Sequence, residues 1–165
     1  PLGAVIIHQK IYDPIKNGSG RFIHGFTSSG NPVSVTAGLA VIRYIEEHNI
    51  LSKVAENGRY LKQKLEALKE ENKSIGSING KGLMWGVVFR NKNKISFPRS
   101  ATITNKVVQN CITNGLIVYP SQMFNDDSTG DSIMIAPPLI ITKEEIDELI
   151  KRLTLSLEQT KELFC

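Results

Sequence analysis

Asn31-Pro32, set between Gly30 and the run Val33-Ser34-Val35-Thr36-Ala37-Gly38-Leu39-Ala40, writes a helix start twice over. The asparagine side-chain oxygen accepts from amides of the first turn, and proline at the first helical position gives up only an amide that has no intrahelical partner. Ahead of this start lies His24-Gly25-Phe26-Thr27-Ser28-Ser29-Gly30, a loop with two glycines and three hydroxyls. Hydroxyls and free N–H groups gathered before a helix N-terminus form a candidate anion site, with phosphate as the natural guest. The same residues are also ordinary turn formers, and read alone they favour a plain corner before a buried helix. Their glycine spacing fits neither the P-loop nor the dinucleotide fingerprint.

The 165 residues, 41% hydrophobic and 22% charged, suit a soluble globular chain with one ordinary domain or a small domain plus an appendage. The net charge of +4 is modest, and lysines alternate with glutamates along predicted helices. That is a solvated surface, with no nucleic acid and no membrane as expected partner. Cys111 and Cys165 have neither metal-ligand spacing nor a partner pattern, which fits a reducing, cytoplasmic setting. No signal peptide and no bilayer-length apolar run is read. The chain opens at Pro1, without methionine, on an apolar run, and so reads as part of something longer.

Taken in order, residues 3–8 are predicted as a short buried strand, followed by an irregular connection through Asp13-Pro14 and Asn17-Gly18-Ser19-Gly20. The helix from Val33 to Tyr44 is apolar or small at nearly every position and is expected to be buried on several sides. Leu51, Val54, Gly58, Leu61, Leu65 and Leu68 recur at steps of three and four, laying one core-facing stripe along a second helix. Residues 72–82 read as a polar approach to the strand 83–89, in which Met84 and Trp85 are structural. A helix is predicted over about 101–114, with Ile103, Val107, Val108, Cys111 and Ile112 inward and Gly115 as its stop. Residues 116–119 are a predicted strand, and 122–131 a solvated loop holding Asp126, Asp127 and Asp131 without the pattern of a calcium loop. After the strand 133–136 and Pro137-Pro138, Thr142-Lys143-Glu144-Glu145 is a capping box opening a last helix with Ile146, Leu149, Ile150, Leu153 and Leu157 inward. The sum is a small α/β or α+β fold with helices covering one sheet.

Catalytic side chains are sparse. His8, His24 and His48 are too scattered for a metal site, and no serine or cysteine lies in a nucleophile elbow. His24 borders the central loop, where contact with a ligand and a bond to its own loop are both open.

Four segments in register carry a resemblance. Pro1-Leu2-Gly3-Ala4-Val5, then His24-Gly25-Phe26-Thr27 with Gly30-Asn31-Pro32, then Gly80-Lys81-Gly82-Leu83-Met84-Trp85-Gly86, and Ala136-Pro137-Pro138-Leu139-Ile140-Ile141-Thr142 with Glu145 together resemble the class III, or omega-type, aminotransferases that use pyridoxal 5'-phosphate. The resemblance implies the C-terminal domain of a fold type I pyridoxal-phosphate transferase. Residues 1–30 would be a remnant of the large cofactor domain, 31–73 connecting helices and 74–165 the small domain. It implies that Phe26 and Thr27 bind cofactor, with Thr27 holding the phosphate across a homodimer interface. It places the Schiff-base lysine before Pro1, so that neither Lys10 nor Lys16 has that role and no catalytic residue lies in this chain. The implied reaction moves an amino group from an amine or omega-amino acid to a 2-oxo acid, and this chain alone would be inactive. Asn79 stands where many relatives have arginine, and residues 122–131 lack the arginine that in several members binds a substrate carboxylate. Within the family, the oxononanoate-aminating enzyme of biotin synthesis and the glutamate-semialdehyde aminomutase stay open. From a different class, a stand-alone module binding a phosphate ligand or a partner is the alternative.

Overall fold

The computed structural model describes residues 2–125 and 128–164. Pro1, Asp126, Asp127 and Cys165, all discussed above, lie outside them. The chain divides into two compact units at Asn49 and Ile50.

The first unit holds α1 (Gln9–Asn17) and α2 (Pro32–Glu47). The strand expected over residues 3–8 does not form: these residues have no regular structure, and Ile6 is 97% exposed. An apolar run becomes a strand only where another strand takes its backbone hydrogen bonds, and among the described residues this unit has none. The predicted irregular connection is instead α1. The His8 ring Nδ1 accepts from the Lys10 amide at its start, and Pro14 sits inside it, so the proline subtracts one intrahelical bond without ending the helix. α2 begins as expected, with the Asn31 side-chain oxygen accepting from the Ser34 amide at 3.1 Å and Pro32 at its first position. Its expected burial is not found. None of its residues is buried, and Val33, Val41 and Ile42 are each more than half exposed. Gly38 gives Leu2 close access to the helix surface.

The second unit packs α3 (Ile50–Glu71), α4 (Ile103–Thr113) and α5 (Lys143–Glu158) on one face of an antiparallel sheet ordered β1-β2-β4-β3. The strands are β1 (Ile75–Lys81), β2 (Met84–Phe89), β3 (Tyr119–Asn125) and β4 (Ser128–Ile135). Trp85, Val87 and Phe89 alternate inward on β2, and the register Trp85↔Ile135 and Val87↔Ile133 sets the core residues of β4 beside them. Leu61, Leu65 and Leu68 of α3, Ile103, Val107 and Cys111 of α4, and Ile146, Leu149, Leu153 and Leu157 of α5 close the layer. The Phe164 ring contacts Phe89 at 5.7 Å and Phe97 at 5.9 Å. Met84 and Val88 project from the other sheet face, Met84 being 59% exposed.

Three expectations change here. The polar stretch before Leu83 is strand β1, because its backbone pairs along β2 whatever its side chains. The expected loop at 122–131 belongs to the β3–β4 hairpin, with Ser121 opposite Ser132 and Gln122 opposite Asp131. Ile112 is 53% exposed, one step off the α4 face carried by Val107 and Cys111.

Asp131 is fully buried, not a solvated loop acid. Its Oδ1 accepts from the Thr104 amide at 3.0 Å and from the Thr104 hydroxyl at 2.8 Å. Thr102, the residue before α4, makes no side-chain cap bond, so a carboxylate from β4 supplies the acceptor that local sequence lacks. The capping box at α5 is present as predicted: the Thr142 hydroxyl accepts from the Glu145 amide, and the Glu145 carboxylate accepts from the Thr142 amide.

Candidate functional site

The loop between α1 and α2 is drawn tight by its own bonds. The Ser29 amide donates to the Phe26 carbonyl at 2.9 Å, the Phe26 amide donates to the Ser29 hydroxyl at 3.1 Å, and the Asn31 amide donates to the Ser28 carbonyl at 3.1 Å. Gly30 takes φ +70°, which a side chain would resist. This leaves Thr27 and Ser28 at the middle of the turn, exposed. Among the described residues, their amides and the Thr27 hydroxyl have no hydrogen-bond partner.

Upstream, the His24 ring stacks on Phe22 at 5.8 Å and meets the edge of Phe26 at 5.1 Å. Phe22, His24, Phe26 and Ser29 line a cleft of about 700 Å³ that Tyr12 and Lys16 of α1 also border, and none of its lining residues is acidic. Thr27 is exposed and is not in that lining. The structure therefore keeps Phe26 and Thr27 on one turn, with Phe26 alone of the two lining the aromatic cleft. His24 packs between rings, a role its isolated place in the sequence did not reveal.

The donor set suits a phosphate. The Thr27 and Ser28 hydroxyls and two adjacent backbone amides are unspent among the described residues, no acid lines the adjoining cleft, and α2 starts five residues after Thr27. Among the described residues no group of three or more metal-ligating side chains exists, and no helix is long and apolar enough to cross a membrane.

Solved structures similar to this chain include transaminases. One is a thermostable (S)-enantioselective omega-transaminase from Thermomicrobium roseum, with TM-score 0.81 and 31% identity over 93% of this chain and 33% of that one. Another, an amine transaminase from an uncultivated Pseudomonas species in its pyridoxal-phosphate-bound form, has TM-score 0.79 and 27% identity over 92% of this chain and 33% of that one. The fold is thus the C-terminal part of a pyridoxal-phosphate-dependent transferase. The profile of the aminotransferase class-III family matches residues 1–157, and the chain belongs to that family. It is similar to the uncharacterized aminotransferase YodT of Bacillus subtilis, 38% identical over 91% of this chain and 34% of the relative. It is also similar to a putrescine–pyruvate aminotransferase of Pseudomonas aeruginosa, 34% identical over 97% of this chain and 33% of the relative. The chain spans about a third of the length of the curated relatives it matches.

Proposed function

We propose that this chain is the C-terminal part of an aminotransferase that passes an amino group from an amine or omega-amino acid to a 2-oxo acid. The observation that carries the reading is the turn at residues 26–29, whose Thr27 and Ser28 amides and Thr27 hydroxyl are unspent among the described residues, within a segment matched to the family. Bound pyridoxal 5'-phosphate supplies the electron sink that weakens bonds at the amino-bearing carbon of the substrate. Thr27 and the adjacent amides hold its phosphate, donating from one subunit of a homodimer to cofactor seated mainly in the other, while Phe26 orients the turn through the aromatic cluster with His24. Lys10 and Lys16 are exposed on α1 and have no part in the chemistry.

The reacting lysine lies in sequence preceding this chain, so that by itself the chain transfers no amino group. Residues 1–30 are then a remnant of the large domain, 31–73 connect, and 74–165 form the small domain. The apolar side chains of α2, patterned for burial yet uncovered, support this, since the remainder of the parent would cover them.

The test joins the intact mass of the protein in its native source with an absorbance scan for lysine-bound cofactor. A chain about three times as long as this one, showing that visible band, is expected. A native mass of 165 residues without the band would overturn the reading in favour of a non-catalytic phosphate- or partner-binding module.

A further inference from the structure

The Gly80-Lys81-Gly82 motif takes no part in the chemistry above, yet it borders a second groove, of about 420 Å³, between the first half of α3 and the β1–β2 turn. The floor is backbone. A Cβ on Gly58 would run into Gly82, and one on Gly80 would lie 2.8 Å from the Trp85 Cα, so neither position can carry a side chain that fills the space. Leu51, Val54 and the edge of Trp85 form an apolar wall, and the Trp85 indole N–H is already spent on the Gly82 carbonyl at 2.7 Å.

Arg59, Lys62 and Lys81 line the same groove, with no acid among the lining residues. All three are exposed, and among the described residues none makes a hydrogen bond or ion pair. The acid that acts on Arg59 electrostatically is Glu56, which is itself engaged by Lys143. From Asn72 to Asn125 the sequence contains no aspartate or glutamate, so no acid on the β1–β2 hairpin offsets Lys81. Three cations on one groove, none of them ion-paired among the described residues, create a positive potential, and one flank of the space they share is greasy.

We propose that this groove binds a phosphorylated small molecule with an apolar body, its phosphate held by Arg59, Lys62 and Lys81 and its body laid on Leu51, Val54 and Trp85. Arginine and lysine together suit a phosphate dianion, the guanidinium by paired N–H donors and the ammonium groups as point charges. The shared chemistry covers any phosphomonoester of that shape, and free phosphate is separated from it by the apolar wall.

Phenyl phosphate titrated into the protein by calorimetry tests this, with inorganic phosphate and benzoate as partial ligands. Saturable binding of phenyl phosphate is expected, with both partial ligands weaker. Arg59→Ala/Lys81→Ala should lower affinity by about tenfold or more, as loss of two charge-assisted contacts implies. Both side chains are exposed, so this variant keeps its fold, which circular dichroism verifies. Lys151→Ala, an exposed position on α5, should leave the affinity unchanged. Unaltered affinity in the double variant, an equal loss in Lys151→Ala, or inorganic phosphate binding as tightly as phenyl phosphate would each overturn the proposal.

Discussion

Gly58 of α3 packs backbone to backbone on Gly82 of the β1–β2 turn, so closely that a Cβ on Gly58 would stand 2.6 Å from the Gly82 carbonyl carbon. Gly82 itself has φ +58°, and its carbonyl takes the Trp85 indole N–H. Gly58→Ala gains about 1 kcal/mol of helix propensity and still should destabilise the protein by about 1 to 3 kcal/mol, because backbone on both sides must move. Urea unfolding measures it; a variant as stable as the parent would show that the contact is not tight.

Asp131 should be costly to remove for a different reason. Asp131→Ala leaves the Thr104 amide and hydroxyl buried without this acceptor, a loss of about 1 to 3 kcal/mol. Combined with Thr104→Val the losses should be less than additive, since both substitutions break the bond between the Thr104 hydroxyl and the Asp131 carboxylate. Strict additivity in the double-mutant cycle would separate the two residues.

Cys111 should resist thiol reagents. Burial pushes its thiol above the ordinary range, so little thiolate exists at neutral pH and access is closed. Labelling of Cys111 in the folded protein at pH 8, read in its own peptide apart from Cys165, is expected to be slow and to accelerate on unfolding; equal rates in both states would contradict the packing of α4.

Two ion pairs tie α3 to α5: Glu56 with Lys143, and Asp147 with Lys64 at 2.7 Å, the latter carboxylate also accepting from the Tyr60 hydroxyl. The hydrogen bond from Lys143 holds the Glu56 carboxyl below its usual range, and that from Lys64 does the same for Asp147. Their support is present above the ordinary carboxylate pKa and is lost as pH falls through the lowered folded values. The same contacts, with Glu56 the largest influence on Lys143 and Asp147 on Lys64, raise both ammonium groups. That share is present below the ordinary lysine pKa and is lost as pH rises through the raised ones. All four groups are solvent-facing, so the effect is small and weakened by salt. Glu56→Gln/Asp147→Asn should flatten the acid limb of a Tm-against-pH curve; an unchanged limb would remove these pairs from the account.

For the proposed clamp, Thr27→Ala in the full-length enzyme should weaken retention of pyridoxal 5'-phosphate by about 1 to 3 kcal/mol, the scale of a hydrogen bond to a charged group. Dialysis followed by cofactor absorbance reads it. Unchanged retention would take Thr27 out of the site.

Features set by near neighbours in the chain were legible from residues alone. Asn31-Pro32 and the Thr142/Glu145 box determine their helix starts because donor and acceptor lie within three residues of each other. The stripe from Leu61 to Leu68 and the apolar run from Trp85 to Phe89 determine buried faces because burial follows the period of the element. The turn at Thr27 was visible as a donor-rich loop for the same reason.

Tertiary structure decided whatever depends on a partner distant in sequence. Residues 3–8 have strand composition but no strand to pair with, whereas the polar residues of β1 have β2. Asp131 looked like a loop acid until a hairpin carried it to the start of α4, 27 residues away. Arg59 and Lys62 line one groove with Lys81 only because two glycines let a helix settle on a turn. Backbone hydrogen bonds and close packing are satisfied between elements, and no local pattern states which elements will meet.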